Sequence, residues 1–215
     1  MNDILCVFPI EETTRFLNPV FEEIAKQGAD VFHYDTVNSD EDLQEILTNK
    51  ISASGIIVFL CHGCGTCLYG TQDETGFNGN ELINRNDFQM LNGKKTIIFS
   101  CNSNGLQKNY SLSETITFGL IPSTIYEVKN AEFHKLPINE LEENEVGVIQ
   151  DSLVRIWERT LSTTSLLDFR SFFKAFRFNI DFEITEVLIG KRSLPHYRTI
   201  ADILFYIKKD MKYTD

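Results

Sequence analysis

The chain has 215 residues, a length that suits one packed domain better than two. Hydrophobic residues make up 42% of it and charged residues 24%, a balance that excludes a disordered chain. The formal net charge of −11 disfavours a nucleic-acid partner, because phosphate groups are bound by clustered lysines and arginines. We therefore expect a single domain over residues 1–215.

The first residues and the cysteine content indicate a compartment. The opening sequence MNDILCVFPIEETT has no basic stretch, and no later segment approaches the roughly 18 apolar residues of a membrane span. Three of the five cysteines fall within seven residues, which disfavours a secreted disulfide framework. We expect a cytoplasmic protein with no membrane partner.

Apolar runs in the first half of the chain alternate with amphipathic segments. The runs predict strands at 4–8, 30–34, 55–61 and 96–100. The last two are nearly continuous β-branched and aromatic runs, which are typical of parallel strands covered on both faces. Asn18, Pro19 and Gly28 mark the start and end of one helix, and a second helix runs to about Asn49. The pattern predicts an α/β fold with a mainly parallel central sheet.

The remaining segments are predicted from periodicity and turn residues. Between the two central strands, a stretch rich in Gly, Asn and Asp predicts loops, a small hairpin at 68–69 and a short helix at 87–91. Beyond residue 101 the pattern predicts, in order, a helix at 112–118, a strand at 121–128, helices at 151–161 and 165–176, a strand at 184–189 and a helix at 199–211.

Reactive side chains follow the two central strands. His62 comes directly after GIIVFLC, and Cys101 comes directly after TIIFS. Because the carboxyl ends of neighbouring parallel strands meet at one edge of a sheet, both side chains should emerge together. An imidazole beside a thiol favours the thiolate, which is the nucleophilic form. The pair predicts a catalytic dyad with Cys101 as nucleophile and His62 as general base.

Gly63 extends this hypothesis to the oxyanion. A residue without a side chain lets its backbone N–H approach a substrate carbonyl closely. Together with the N–H of Cys101, the N–H of Gly63 would form an oxyanion hole. The Asn-Ser-Asn-Gly sequence after Cys101 suits a sharp turn out of the strand.

Two segments resemble the caspase-like cysteine peptidases. IIVFLCHGCGTCLYGT is similar to the caspase segment in which an apolar strand runs into Ser-His-Gly and later Gly-Thr. LNGKKTIIFSCNSNG is similar to the strand that ends at the catalytic cysteine in caspases and in the bacterial CHAT branch. The resemblance covers residues 56–105. It implies a caspase-like three-layer sandwich and endopeptidase activity on proteins or peptides without a metal or organic cofactor. It also implies a regulatory protein partner and a role as a regulated effector in bacterial defence or cell death.

The sequence indicates the substrate residue at P1, just before the cleaved bond, less clearly than it indicates the dyad. Caspases carry Gln-Ala before the nucleophile, whereas this chain carries Phe-Ser, so their aspartate specificity does not carry over. Asp73 and Glu74 would favour Arg or Lys at P1. Arg15, which follows the first strand as the S1 arginine of caspases does, would favour Asp. The net charge attracts basic peptides, and a basic P1 is our expectation.

Other functions stay open. One is a catalytically silent caspase-like module that binds a partner. Another is a metal-binding regulatory domain that uses Cys61, His62, Cys64 and Cys67, because C-x-x-C-x-x-C with a histidine suits zinc or part of an iron–sulfur cluster. Cys64 and Cys67 also match a redox C-x-x-C, although the sequence after Cys67 does not predict the helix that such a motif normally opens. The simplest interpretation buries Cys61 and leaves the other two cysteines in a loop.

Overall fold

A computed structural model describes residues 3–37, 42–72, 80–110, 112–130 and 140–215. The chain divides into two compact units, of which the first comprises residues 1–119 and 211–215 and the second residues 120–210. The chain therefore leaves the first unit after Gly119 and re-enters it at Met211. The single domain expected from the length stays a prediction.

The first unit is built on a six-stranded sheet. In the described part of the chain the strands are β1 Ile4–Val7, β2 Asp30–Phe32, β3 Ile56–Leu60, β4 Leu68–Tyr69, β5 Glu81–Ile83, β6 Lys95–Phe99, β7 Thr115–Thr117 and β8 Lys212–Thr214. The sheet has the order β2-β1-β3-β6-β7-β8, in which only β8 runs antiparallel to its neighbour. Strands β4 and β5 form a separate antiparallel pair. The predicted α/β fold with a mainly parallel sheet is confirmed.

Short helices connect these strands. They are α1 Asn18–Lys26, α2 Leu43–Ala53 and α3 Leu106–Asn109, with 3₁₀ helices at Glu12–Leu17, Phe88–Leu91 and Ser103–Gly105. Helix α1 has Pro19 in its first turn, and Gly28 beyond its end has φ of +87°, as the sequence predicts. Helix α2 begins after Asp42, whose carboxylate accepts from the Glu45 N–H at 3.1 Å.

Both faces of the sheet are buried. One face contributes side chains to a cluster with α2 and the Phe88–Leu91 helix, and these are Leu5, Val7, Ile57, Phe59, Cys61 and Ile98. Successive side chains of a strand point to opposite faces, so Val58, Leu60, Ile97 and Phe99 face the other side. Those four are also buried. This burial explains why β3 and β6 are continuous apolar runs rather than alternating ones.

The second unit is helical. It contains α4 Ile125–Asn130, α5 Glu143–Thr163, α6 Phe169–Gly190 and α7 Tyr197–Asp210. Helices α5, α6 and α7 pack together, and Trp157 of α5 contacts the rings of Phe172 and Phe176 on α6. Among the residues described, no helix has both the length and the apolar character that crossing a membrane requires.

Several elements after residue 101 differ from prediction. The helix predicted at 112–118 is wrong, because this segment contains β7, which is paired to β6 and to the distant β8. The strand predicted at 121–128 is wrong, because α4 begins at Ile125. The strand predicted at 184–189 lies inside α6, where a short apolar run belongs to a much longer helix. The helices predicted at 151–161, 165–176 and 199–211 are confirmed with shifted ends, as parts of α5, α6 and α7.

Candidate active site

The register between β3 and β6 determines how the predicted dyad is arranged. The two strands are parallel neighbours, and each pair of facing residues is separated by 39 positions, from Ile56 with Lys95 to Leu60 with Phe99. His62 and Cys101 are separated by the same 39 positions, two residues beyond the last pair. Neighbouring strands lie about 4.8 Å apart. Both residues therefore follow the carboxyl ends of neighbouring parallel strands, and a continued register would make them neighbours.

Side-chain alternation continued beyond the two strands would assign both side chains to the same face. Cys61 lies in the buried cluster on one face, so the alternation of side chains assigns His62 to the other. Ile98 lies in that same cluster. Cys101 is three positions further along the chain, an odd number, so the alternation assigns it to the opposite face, which is also the face of His62. His62 is 7% exposed and Cys101 is half-buried. Partial burial of the thiol leaves a side from which a substrate can approach.

A network of backbone hydrogen bonds fixes the turn after Cys101. Asn102 has φ of +56°, a left-handed conformation that asparagine tolerates. Its N–H donates to Gly119 O at 2.8 Å, and the Asn104 N–H donates to Phe118 O at 2.8 Å. The buried Ser103 hydroxyl donates to Ile98 O at 2.8 Å and accepts from the Phe118 N–H at 2.9 Å. The sharp turn expected from the sequence is confirmed.

Two residues that the sequence reasoning missed orient His62. Nε2 of His62 lies 2.5 Å from the hydroxyl oxygen of Thr13, and that hydroxyl donates to Glu11 Oε1 at 3.1 Å. A hydroxyl has a single proton to donate, so while Thr13 Oγ1 donates to Glu11 it accepts from an Nε2–H. With that proton on Nε2, the neutral ring has an unprotonated Nδ1, which is the form that a general base needs.

Glu11 is held in place by further hydrogen bonds. Its Oε1 also accepts from the Thr13 N–H at 3.2 Å, and its Oε2 accepts from the Gln72 N–H at 2.8 Å. Glu11 and Thr13 belong to the segment after β1, which is the neighbour of β3 in the sheet. The signal in the sequence was their position beyond a strand's carboxyl end, the same rule that indicated His62 and Cys101.

Gly63 lies in a tight loop where a side chain would not fit. An isolated antiparallel bridge pairs Gly63 with Leu68, and its hydrogen bonds run from Cys64 N to Cys67 O and from Tyr69 N to His62 O, each 2.9 Å. The Gly63 N–H takes part in neither bond. A Cβ at Gly63 would lie 2.2 Å from the Ser100 hydroxyl oxygen, which excludes a side chain without a local shift. This geometry suits the predicted oxyanion role.

The loop after His62 is attached to the turn after Cys101. The backbones of Gly65 and Gly105 approach so closely that a Cβ on Gly105 would lie 2.8 Å from Gly65 Cα. The Asn109 side-chain amide donates to Gly65 O at 2.8 Å, and the Tyr110 hydroxyl donates to Thr66 O at 3.2 Å. The two segments that carry the dyad are therefore held together independently of the dyad itself.

The predicted substrate-binding residues fall in different places. Arg15 lies in the 3₁₀ helix after β1 with its side chain 68% exposed, 3.5 Å from the Glu12 carboxylate. It lines a pocket of about 230 Å³ together with Glu11, Glu12 and His33, and neither His62 nor Cys101 is in the lining. Asp73 and Glu74 lie outside the described residues.

The remaining cysteines separate into core and loop. Cys6 and Cys61 are buried, and burial raises the pKa of both thiols. Cys64 and Cys67 lie in the loop, with their sulfur atoms 2.9 Å apart. In the described part of the chain, no group of three His, Cys, Asp or Glu side chains is arranged to hold a metal ion. The metal-binding hypothesis receives no support from this arrangement.

Comparisons of the chain with protein-family models, with curated proteins and with solved structures find no match. They identify no family. The resemblance to caspase-like peptidases consequently rests on the two sequence segments around His62 and Cys101.

Proposed function

We propose that the chain is a cysteine endopeptidase of the caspase or CHAT type, with Cys101 as nucleophile and His62 as general base. The observation that supports the proposal is the parallel register of β3 and β6, whose last facing pair, Leu60 with Phe99, precedes His62 and Cys101 by two residues each. The carboxyl edge is where parallel α/β sheets present functional groups. The Glu11–Thr13 contact adds the third component that orients a catalytic histidine.

The reaction then follows from the tautomer. Nδ1 of His62 takes the proton of the Cys101 thiol, and the thiolate attacks the scissile carbonyl carbon. The oxyanion accepts hydrogen bonds from the N–H groups of Gly63 and Cys101. As the peptide C–N bond breaks, the imidazolium gives its proton to the leaving amine and a thioester remains. Water, deprotonated by His62, attacks the thioester to release the carboxylic acid and restore the thiol.

The negative charge of Glu11 has a role in this sequence. The imidazolium exists only after the thiol has lost its proton, and its Nε2–H then points through the Thr13 hydroxyl toward the Glu11 carboxylate. This interaction is stronger for the charged ring than for the neutral ring, so it stabilises the reacting state more than the resting state. Thr13 and Glu11 are thus positioning residues that act through His62.

For specificity we propose a basic residue at P1. Arg15, the residue that would favour Asp, is paired with Glu12 and lines a pocket that contains neither His62 nor Cys101. The net charge of −11 favours Arg or Lys over Asp. Cleavage of a peptide library only after Asp would contradict this proposal, and Arg15→Glu would then be expected to abolish that cleavage.

The nucleophile is tested with peptide electrophiles that differ only at P1. We expect covalent labelling of Cys101, located by peptide mapping, and hydrolysis of matching fluorogenic peptides that Cys101→Ala abolishes. Cys6→Ala is the matched control, because Cys6 is a cysteine on a neighbouring part of the sheet but fully buried. Iodoacetamide should likewise modify Cys101 before Cys6 at neutral pH, since burial raises the pKa of Cys6. Equal rates in folded protein would remove the basis for the assignment.

The base is tested by His62→Ala, which should lose most turnover with an unchanged circular dichroism spectrum. If the electrophiles leave Cys101 unmodified and no peptide is cleaved, the alternative of a catalytically silent binding module takes precedence. A regulatory protein partner and a role in bacterial defence belong to this proposal on the family resemblance alone.

A further inference from the structure

The loop between His62 and β4 holds a pair of thiols that the proposed peptidase mechanism does not use. Sγ of Cys64 lies 2.9 Å from Sγ of Cys67. A disulfide bond is about 2.05 Å long, so the two sulfur atoms need to approach by less than about 1 Å to form one. Cys64 is half-buried and Cys67 is 4% exposed. One thiol of the pair is therefore open to a small reagent and the other lies behind it.

The backbone of the loop holds the two thiols together. The Cys64 N–H donates to Cys67 O at 2.9 Å, directly inside the bridge between Gly63 and Leu68. This hydrogen bond closes the turn that carries both cysteines on the same side. Forming a disulfide across it requires no opening of the loop, because the two residues are already neighbours across the turn.

The hydrogen bonds around Cys64 favour its thiolate. Burial alone would raise the pKa of Cys64, but hydrogen bonds from Cys67, Thr66 and Tyr69 outweigh it and lower the pKa to about 7. Burial and the hydrogen bond to Cys64 raise the pKa of Cys67 to about 11. A thiol attacks a disulfide best when its pKa lies near the ambient pH. Cys64 is thus suited to attack first and Cys67 to react second.

We propose that Cys64 and Cys67 form a reversible redox pair, which a small-molecule disulfide such as oxidised glutathione converts into an intramolecular disulfide. The Cys64 thiolate attacks one sulfur of the reagent, the reagent's S–S bond breaks and one glutathione thiolate leaves. Cys67 then attacks the Cys64 sulfur, the mixed S–S bond breaks and the second glutathione leaves with the proton of Cys67. Two protein thiols are oxidised by two electrons, and one glutathione disulfide is reduced to two thiols.

The second step becomes easier once the first has occurred. The charge on Cys64 and its hydrogen bond with Cys67 both raise the pKa of Cys67. Both disappear when the Cys64 sulfur is bound in a mixed disulfide. Cys67 can then lose its proton more readily, at a distance from Cys64 that already suits bond formation.

A pair of thiols suffices for this chemistry, whereas a structural zinc site takes four ligands. Among the described residues, no third His, Cys, Asp or Glu completes a metal site with the pair. Cys61 belongs to the buried cluster on one face of the sheet, and Nε2 of His62 contacts Thr13. Cys61 and His62 therefore have contacts of their own, apart from the Cys64–Cys67 pair.

The test uses the full chain, incubated with oxidised glutathione and then mapped under non-reducing conditions. We expect a peptide containing 64–67 that has lost two hydrogen atoms and regains them with dithiothreitol. The readout does not depend on peptide hydrolysis, so it can succeed or fail independently of the proposed peptidase. Unmodified Cys64 and Cys67, or a disulfide from either residue to Cys101 instead, would overturn the proposal.

Two variants test the order of attack. Cys67→Ser should accumulate a glutathione adduct on Cys64, because the second thiol is missing. Cys64→Ser should form an adduct on Cys67 at least about tenfold more slowly, because burial shields the Cys67 sulfur and raises the pKa of its thiol. Equal adduct rates would overturn the order.

If the purified chain holds a stoichiometric metal ion that both variants lose, the thiols are ligands and the redox pair is refuted. If a variant fails to fold, the peptide map of the chain without substitutions still shows whether the Cys64–Cys67 disulfide forms.

Discussion

The Thr13 hydroxyl offers the sharpest test of how His62 is oriented. Thr13→Val preserves the shape of the side chain but removes the oxygen that lies 2.5 Å from Nε2 and 3.1 Å from Glu11 Oε1. The ring then loses its acceptor and its link to the carboxylate. We expect kcat to fall while KM changes little, because the interaction strengthens only when the imidazolium forms.

The size of the effect follows from the charge on the ring. A hydrogen bond to a charged group contributes about 1.5–3 kcal/mol. At about 1.4 kcal/mol for each factor of ten in rate, losing this bond in the reacting state should lower kcat by about 10- to 150-fold. Glu11→Gln keeps an acceptor for the Thr13 hydroxyl and removes the charge, so its loss should be smaller than that of Thr13→Val.

The assay combines turnover with a measurement of the ring itself. Steady-state hydrolysis of a fluorogenic peptide gives kcat and KM, and nitrogen NMR of histidine-labelled protein reports which ring nitrogen of His62 carries the proton. Thr13→Ser is the matched control, since it retains the hydroxyl and should keep both the Nε2–H tautomer and most of the activity. The reasoning is refuted if Thr13→Val keeps full kcat and the same tautomer, or if Thr13→Ser loses as much as Thr13→Val.

Two further predictions concern stability. Gly63→Ala should destabilise the first unit by about 1–3 kcal/mol, because its Cβ would lie 2.2 Å from Ser100 Oγ. Ser100→Ala should be neutral or stabilising, since that buried hydroxyl has no hydrogen-bond partner among the described residues, and it should recover part of the Gly63→Ala loss in urea unfolding. If the effects of Gly63→Ala and Ser100→Ala on the free energy of unfolding are simply additive, the inferred clash between the two positions is contradicted.

In the second unit, the ring of His196 donates a hydrogen bond to the buried carboxylate of Glu145, and this bond raises the pKa of His196. Burial alone would raise the pKa of Glu145, but hydrogen bonds from His196 and from the Glu142 N–H outweigh it and lower that pKa. The pair should therefore stabilise most between about pH 4.3 and 6.5, with losses above as His196 deprotonates and below as Glu145 protonates. His196→Gln should flatten this dependence in thermal unfolding.

The first half of the fold was predictable because several local signals agree there. Helix α1 has Pro19 at its start and Gly28 beyond its end, and β3 and β6 are continuous apolar runs between turn residues. Strand β7 lacked such agreement, because its second pairing partner, β8, lies almost at the end of the chain. The apolar run at 184–189 was wrongly predicted as a strand because it is short. Its helical periodicity becomes visible only over the whole of α6.

The site was predictable to the extent that it depends on strand ends. His62 and Cys101 were indicated by their positions after two predicted strands; each lies two residues beyond the end of β3 or β6, and the common separation of 39 residues along that pair of strands agrees with this. Thr13 was not indicated, because a threonine in a short 3₁₀ helix carries no chemical signal of its own. Its role depends on a contact with a residue 49 positions away.

The order of strands in the sheet brings the segments that carry these distant residues next to one another. Strands β1, β3 and β6 are consecutive neighbours and parallel, so the three segments after them leave the sheet at one edge. The first segment supplies Glu11 and Thr13, the second His62 and Gly63, and the third Cys101. The fold class therefore accounts for where each segment leaves the sheet, whereas the contact of Thr13 with His62 becomes visible only in the structure. The errors made beyond Cys101 left this assignment untouched, because none of those elements supplies a group to it.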